Sequence, residues 1–388
     1  MGAGLKPRAG APGVSATLAA SMAPADPYLL RDRRAIAALR LVDMLLRPLA
    51  APRRPVPAQP SRVLVANGAH LGDLLLSLPA VAAIRRHWPE ARVDLVCGRW
   101  AEPLARACGL FDEVHVFDHW VHDRSGHPLA VRWWRQLRTL PAAAASIRAR
   151  RYELAIDLYG WFGHAGPLLR LAGVPVRVGF TSGGLGAMFT DPVAWPGRGH
   201  VSEAAAELLR AVAPDFDPGP LRPRGGGEPV APPMAPGYLL VHTGTGAVAR
   251  EWPEARWVAL LTTLAAQGRR LVLAGAGARE RDRAARLVEA VPGVADATGA
   301  GGWPAFAGLV RDAGAVICLE SVCAHLAAAF ERPTVCLFSA DSDATLWGPR
   351  NDRAVLVRPP AAAGVGAITV DAVLAALQAV DPGPEPRP

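Results

Sequence analysis

Apolar runs of four to six residues recur along this chain. Between them lie longer stretches whose apolar residues are spaced three and four apart. The runs near 63–67, 93–97, 113–117 and 153–158 predict strands, and 73–87, 100–108 and 129–150 predict the helices between them. A further helix including 168–171, a short strand over 176–179 and a helix over 202–213 close this first unit. A second alternation follows, with strands predicted at 238–242, 271–275, 315–319 and 333–338. Its helices fall at 254–267, 279–290, 303–313, 322–330 and 369–380. Alternation of this kind implies parallel sheets with helices on both faces, an α/β fold.

The breaks in the pattern divide the chain. Residues 1–60 comprise an Ala/Gly/Pro/Ser-rich start expected to be disordered, a helix over 28–49 and a Pro-rich linker over 51–60. Ile36, Leu39, Val42, Met44 and Leu46 are spaced to form the apolar side of that helix, with Arg33, Arg34, Arg40 and Arg47 largely elsewhere. Such a helix suits an anionic membrane surface, or equally packs on the body or a partner. The first domain is placed at 61–215, a Pro/Gly-rich linker at 216–237, the second domain at 238–380 and a disordered tail at 381–388. Two α/β units joined this way enclose a cleft, a common place for a ligand.

Composition narrows the function classes. The chain has 388 residues, 51% hydrophobic and 20% charged, enough for two domains with sizeable cores. Of the net charge of +8, residues 1–62 account for seven, with ten Lys/Arg against three acids. The body is therefore close to neutral, and no nucleic-acid partner is expected. Five cysteines without Cys-x-x-Cys spacing suggest neither a disulfide framework nor a zinc site, which fits a reducing cytoplasm. No uninterrupted apolar run reaches transmembrane length, and residues 1–25 lack the core of a secretory signal.

Candidate chemistry sits at the strand ends. Asn67-Gly-Ala-His70-Leu-Gly-Asp73 follows the first strand, with Gly72 expected to allow a tight turn. Asp73 stands either as a general base or as a residue favouring the first turn of its helix. The second unit opens with His242-Thr243-Gly244-Thr245-Gly246 and then Arg250-Glu-Trp252-Pro. Exposed backbone N–H groups, two Thr hydroxyls and a guanidinium can together bind a diphosphate. Glu320-Ser321-Val322-Cys-Ala-His325 ends a later strand. Glu320 can hold sugar or ribose hydroxyls, Ser321 can cap the helix and bind phosphate, and His325 reads as a ligand or a core histidine. Gly275-Ala-Gly277 suggests a dinucleotide fingerprint, but Glu280 stands where the third glycine belongs, against a nicotinamide enzyme. Glu280 is read as a ribose contact or a helix stabiliser.

Together these segments resemble the ADP-heptose:lipopolysaccharide heptosyltransferases, glycosyltransferase family nine. Leu71-Gly-Asp73 with Leu78-Pro79 is similar to that family's opening turn and helix. Tyr152-Glu-Leu-Ala-Ile-Asp157-Leu and the stretch 171–180 are similar to its middle signature. The stretches 242–257 and 320–333 are similar to its Gly/Thr loop and its Asp-Ser/Thr-Gly-x-x-His segment. The resemblance implies a GT-B fold, two Rossmann-like domains facing across a cleft. It implies an inverting, metal-independent transferase without a cofactor, Asp73 as catalytic base, and ADP-heptose as the default donor. His242, Thr243, Gly244, Thr245, Arg250, Glu280, Glu320, Ser321 and His325 would contact that donor. A glycan or lipid-linked glycan acceptor would meet Tyr159, Trp161 and His164, with Trp133 and Trp134 read either with them or as helix packing. The expected location is cytoplasmic, with peripheral attachment to the inner membrane.

Three positions depart from the family pattern. Arg250 replaces a lysine, Glu320 an aspartate and Val322 a glycine. The changes at 320 and 322 leave the donor sugar open and motivate one alternative, a non-catalytic nucleotide-sugar binder; a GT-B sugar epimerase is a second alternative.

Overall fold

The computed structural model describes residues 28–381, apart from 31, 51, 124, 125, 198, 212 and 362. The expectations for 1–25 and for the final residues fall outside that range. After helix α1 (Arg33–Leu46) comes a first lobe. Its strands are β1 (Arg62–Asn67), β2 (Arg92–Cys97), β3 (Val114–Val116), β4 (Leu154–Asp157), β5 (Val176–Phe180) and β6 (Asp191–Val193). Its helices are α2 (Leu71–His87), α3 (Glu102–Ala107), α4 (Leu129–Arg150), α5 (Gly166–Leu171) and α6 (Val201–Arg210). The second lobe has β7 (Leu239–His242), β8 (Leu271–Ala274), β9 (Ala295–Asp296), β10 (Ala315–Leu319), β11 (Thr334–Leu337) and β12 (Ala354–Val357). Between and after them run α7 (Glu254–Ala266), α8 (Ala278–Ala290), α9 (Gly302–Asp312), α10 (Val322–Ala329), α11 (Ala344–Trp347) and α12 (Val370–Val380).

Each lobe carries one six-stranded sheet, in the orders β3-β2-β1-β4-β5-β6 and β12-β11-β10-β7-β8-β9. Every pairing is parallel. Both orders are the doubly wound arrangement, so each sheet has a point where the winding reverses. Ligands settle in the crevice beyond the strands' carboxyl ends at such points. Here those points lie between β1 and β4 in one lobe and between β7 and β10 in the other.

One apolar core runs through both lobes. It joins Val63, Leu95 and Ile156 of the first sheet to Leu240, Val316 and Cys336 of the second, through helices from both lobes. This explains α2, whose residues from Leu74 to Ile84 are buried all round. A helix apolar on every side has no face for water. Each fully buried leucine on it contributes about 2 kcal/mol. The outer faces have separate cores: Leu64, Ala66, Ala155 and Leu168 under α4 and α5, and Leu239, Val241, Trp257 and Leu273 in the second lobe.

The Pro/Gly-rich stretch between the lobes has no helix or strand, yet it is packed. Gly226 (φ +73°) and Gly227 (φ +118°) adopt backbone that side chains rarely allow. A Cβ on Gly226 would meet Leu104 and Trp303, and one on Gly227 would meet the carbonyl of Ala107. The Trp303 indole N–H donates to the Gly226 carbonyl at 2.9 Å. The stretch is thus wedged between α3 and α9.

Two expectations need correcting. Gly72 makes no tight left-handed turn; it is a helical residue of α2, which begins two residues earlier than the spacing suggested. In α1 the inward residues are Ile36 and Leu39, whereas Val42 and Met44 are exposed. Docking on Gly184 sets that face, because the Leu39 side chain lies against it. The five cysteines are free and buried, as small apolar residues.

Candidate functional site

β1 delivers Asp73 to the cleft. The loop after Asn67 enters α2 through a capping box. The His70 N–H donates to Asp73 Oδ2 at 3.0 Å, and the Asn67 side-chain amide donates to the Asp73 carbonyl at 3.2 Å. The carboxylate therefore does support its helix, yet it is half-buried rather than interior. It lines a cavity of about 270 Å³, open to solvent, with Asn67, Ser77, Tyr159, Trp161 and, from the other lobe, Trp347. The Trp161 and Trp347 rings lie 4.7 Å apart across the lobes. A Cβ on Gly72 would stand 3.7 Å from the His325 ring and 4.0 Å from the Val322 Cα. The first turn of α2 thus abuts the first turn of α10.

β4 delivers Asp157, Tyr159 and Trp161. Asp157 is fully buried, and burial raises its carboxyl to about 7 against the opposing pull of backbone N–H donors. Those donors include Tyr159 at 3.2 Å and Ala165 at 2.5 Å, so the carboxylate shapes the loop that carries the aromatic residues. His164 belongs to this scaffold. Its Nε2 lies 2.7 Å from the Gly184 carbonyl, and its Nδ1 accepts from the Gly166 N–H at 3.1 Å. With both ring nitrogens engaged and the residue buried, it has nothing to offer an acceptor directly. Beside Tyr159 lies a cluster the sequence reading did not find. His122 sits 5.1 Å from Tyr159, 5.6 Å from His70 and 5.7 Å from His119, ring to ring. Burial pushes His119 down to about 3, assisted by His122 and His164. His119 is therefore neutral at physiological pH.

In the second lobe, β7 and β10 end side by side. Glu320 is the hub. It accepts from Arg250 Nη1 at 2.9 Å and from the Ser342 hydroxyl at 2.8 Å, while its carbonyl accepts from the Thr245 hydroxyl at 3.3 Å. Arg358 holds the Ser342 carbonyl and so fixes the loop after β11. The two departures at 250 and 320 thus form one pair, half exposed on the arginine side. Ser321 sits at the N-cap of α10 but makes no capping bond; its hydroxyl lies 3.4 Å from His242 Nδ1. Burial lowers the pKa of His242, and pushes His325 down to about 3, leaving neutral rings. His325 Nδ1 is buried without a hydrogen-bond partner. Glu280 caps its own helix through the Gly277 N–H at 3.2 Å. It presses on Gly244, where any side chain would collide with it. Arg283 adds a bond to the Thr243 carbonyl at 2.9 Å.

Among the described residues, no group of three or more His, Cys, Asp or Glu side chains is placed to hold a metal ion, and no helix is long and apolar enough to cross a membrane. The residues missed from sequence are Asn67, Ser342, Trp347, Arg358 and the His70–His119–His122 cluster. Asn67 ends a strand beside Asp73, and that position was a usable signal. His70 lies within the same motif, Trp347 ends the short helix α11, and the others lie in loops with no motif.

Comparison with known proteins identifies the arrangement. Residues 142–364 match the family model for glycosyltransferase family 9 (heptosyltransferase). Lipopolysaccharide heptosyltransferase 1 of Pseudomonas aeruginosa is 28% identical over 298 residues, covering 71% of this chain and 78% of its own length. The Escherichia coli K12 protein of the same name is 23% identical over 318 residues, covering 77% and 94%. The family 9 glycosyl transferase of Veillonella parvula superposes with a TM-score of 0.68 at 16% identity, covering 84% of this chain and 99% of its own. E. coli heptosyltransferase WaaC, solved with ADP, gives 0.64 at 20%, covering 82% and 100%. Two doubly wound lobes closing on one cleft are thus the GT-B fold of these proteins, and the chain belongs to glycosyltransferase family 9, the heptosyltransferases, and is a glycosyltransferase.

Proposed function

We propose that this enzyme moves a heptose from ADP-heptose onto a lipid-linked saccharide of the lipopolysaccharide type, with inversion at the anomeric carbon and without a metal. The observation that carries the reading is the abutment of α2 and α10, which sets a carboxylate-bearing helix start against a phosphate-type one. Asp73 takes the proton from the acceptor hydroxyl as that oxygen attacks the anomeric carbon. The bond from that carbon to the distal phosphate oxygen breaks, and ADP leaves. A single displacement inverts the centre. Arg250, Thr243, Thr245 and Ser321 offset the charge gathering on the departing diphosphate. Neutral His325 adds a hydrogen bond without adding charge, and Glu320 orients Arg250 until a donor hydroxyl competes for it. Glu280 and Gly244 shape the nucleotide side.

Tyr159 and Trp161 form the acceptor wall, with His164 behind it. The reaction runs on the cytoplasmic face of the inner membrane, where the donor is made and the acceptor is anchored. The relatives named for lipopolysaccharide heptosyl transfer support this donor and acceptor.

The test supplies the full chain with ADP-heptose, GDP-mannose, UDP-N-acetylglucosamine or a dTDP-sugar, plus a lipid-linked saccharide acceptor. Mass spectrometry follows the product and NMR reads its anomeric configuration. Transfer from ADP-heptose with an inverted linkage is expected. Retention of configuration, or turnover of donor without acceptor into a different sugar, overturns the mechanism.

A further inference from the structure

Helix α4 is inside out over its first half. The residues turned to the body are polar: Arg135 pairs with Asp123 at 3.5 Å, Arg132 donates to the Asp123 carbonyl at 3.2 Å, and Gln136 accepts from the Trp120 N–H at 3.0 Å. The residues turned outward are large and apolar. Leu129, Trp133, Trp134 and Leu137 are 48%, 41%, 57% and 61% exposed. An ordinary surface helix has the reverse arrangement. Only the second half, with Ala143, Ala144 and Ile147, buries its apolar side. Neither Trp133 nor Trp134 lines the cavity beside Asp73, and only Trp133 packs in part against the body, on Trp120.

The charge pattern says what this stripe suits. α4 has no Asp or Glu; of its five arginines, Arg132 and Arg135 face the body, Arg148 and Arg150 bond Leu171 and Glu113 near its end, and Arg138 accompanies the stripe. Arg138 lies over the Trp134 ring at 5.2 Å, on the same outward side. Tryptophan and leucine beside arginine is the composition of helices that lie in the interface of an anionic bilayer. A second apolar and basic surface lies nearby. α4 packs on α5, α5 on the short turn Gly186–Met188, and that turn on α1. There Leu41, Met44 and Leu45 are exposed, with Arg33, Arg34 and Arg40 on the same helix. α4 and α5 cover the sheet face opposite the donor lobe, so a flat surface can approach them without meeting that lobe.

The stripe also leads to the cleft. Trp133 stacks on Trp120 at 4.8 Å, Trp120 stacks on His119 at 6.1 Å, and His119 and His122 continue to Tyr159. Tyr159 lines the cavity that holds Asp73.

We propose that the Leu129–Leu137 stripe of α4, with Arg138, is a docking surface for an anionic phospholipid bilayer, set at the end of an aromatic strip that runs to the acceptor cavity. It fixes which face of the enzyme meets the membrane. The surface stands whatever sugar is transferred, because it rests on α4 and not on the cleft.

The test is flotation of the full chain with vesicles of phosphatidylglycerol and phosphatidylcholine, or of phosphatidylcholine alone. The unaltered protein should float with the anionic vesicles, less so as salt rises, and weakly with the neutral ones. The double variant Trp134→Ser, Leu137→Gln should lose at least tenfold in partitioning. Its circular dichroism and its calorimetric affinity for ADP should stay unchanged, since neither side chain reaches the cavity. Unchanged flotation of the variant overturns the proposal. So does a variant that turns a dimer into a monomer in sedimentation without altering vesicle binding, which assigns the stripe to a second copy of the chain. Deleting residues 1–50 separates the contribution of α1: if that alone abolishes flotation while the α4 variant floats normally, α4 is not the anchor.

Discussion

The two lobes repeat one topology but build their sites from different forces. In the second lobe, polar groups hold one another: Arg250, Ser342 and Thr245 all bond to Glu320. In the first lobe the wall is aromatic, Tyr159 and Trp161 with Trp347 reaching across, and one carboxylate faces it. A bonded polar cluster suits a ligand of fixed charge and geometry such as a diphosphate. An aromatic wall suits saccharide faces and tolerates variation in what is bound. Within a common scaffold, then, the two halves of the cleft offer different chemistry.

The comparison makes its sharpest claim at Asp73. Asp73→Asn should lower turnover about a thousandfold while ADP affinity by calorimetry stays within a factor of two. A comparable loss of ADP binding would show that the lobes do not divide the work. Next comes Arg250→Ala, which removes a charge-assisted contact of about 1.5–3 kcal/mol. ADP should bind about ten to a hundred times more weakly, and adenosine as before. Equal losses for both would move Arg250 away from the phosphates.

Trp161→Ala probes the other wall. We expect the acceptor KM to rise about tenfold with ADP affinity intact, and a change confined to kcat would place Trp161 outside acceptor binding. The smallest effect concerns pH. His119 and His325, one per lobe, are both pushed down to about 3 by burial. Their neutral forms belong to the fold, so their stability contribution is complete above the usual histidine range and is lost as pH falls below about 6.5. Asp157 opposes them. Its carboxyl is raised to about 7, so it stabilises when protonated and loses that contribution as pH climbs from about 4 to 7. Asp157→Asn should steepen the fall in melting temperature between pH 7 and 5 by a few degrees. A flatter profile would contradict the sign.

Much of the fold was legible because buried parallel strands write continuous apolar runs, and nine of the twelve strands announced themselves this way. The edge strands β6, β9 and β12 were less visible. β6 and β9 are two or three residues long, and β12 is only half-buried. That reading counted 63–67 and its like as strands without their register, which only pairing supplies. The juxtaposition of Thr245, Arg250 and Glu320 was legible in part because Gly, Thr and Ser in sequence mark the turns after β7 and β10. His164 misled because a histidine beside aromatics carries no mark of whether its nitrogens are already engaged. Trp347 and Ser342 were invisible for a simpler reason: Ser342 lies in a loop without periodicity, and Trp347 ends a four-residue helix and reaches the Asp73 pocket from the other lobe.

The glycines at 226 and 227 carry a consequence for engineering. A joint threaded between α3 and α9, beneath an apolar interior common to both halves, acts as a keystone and not as a tether. Swapping one half for that of a relative would leave mismatched apolar walls facing each other. Donor preference is therefore better altered by exchanging the loops beyond β7 and β10 than by exchanging whole halves.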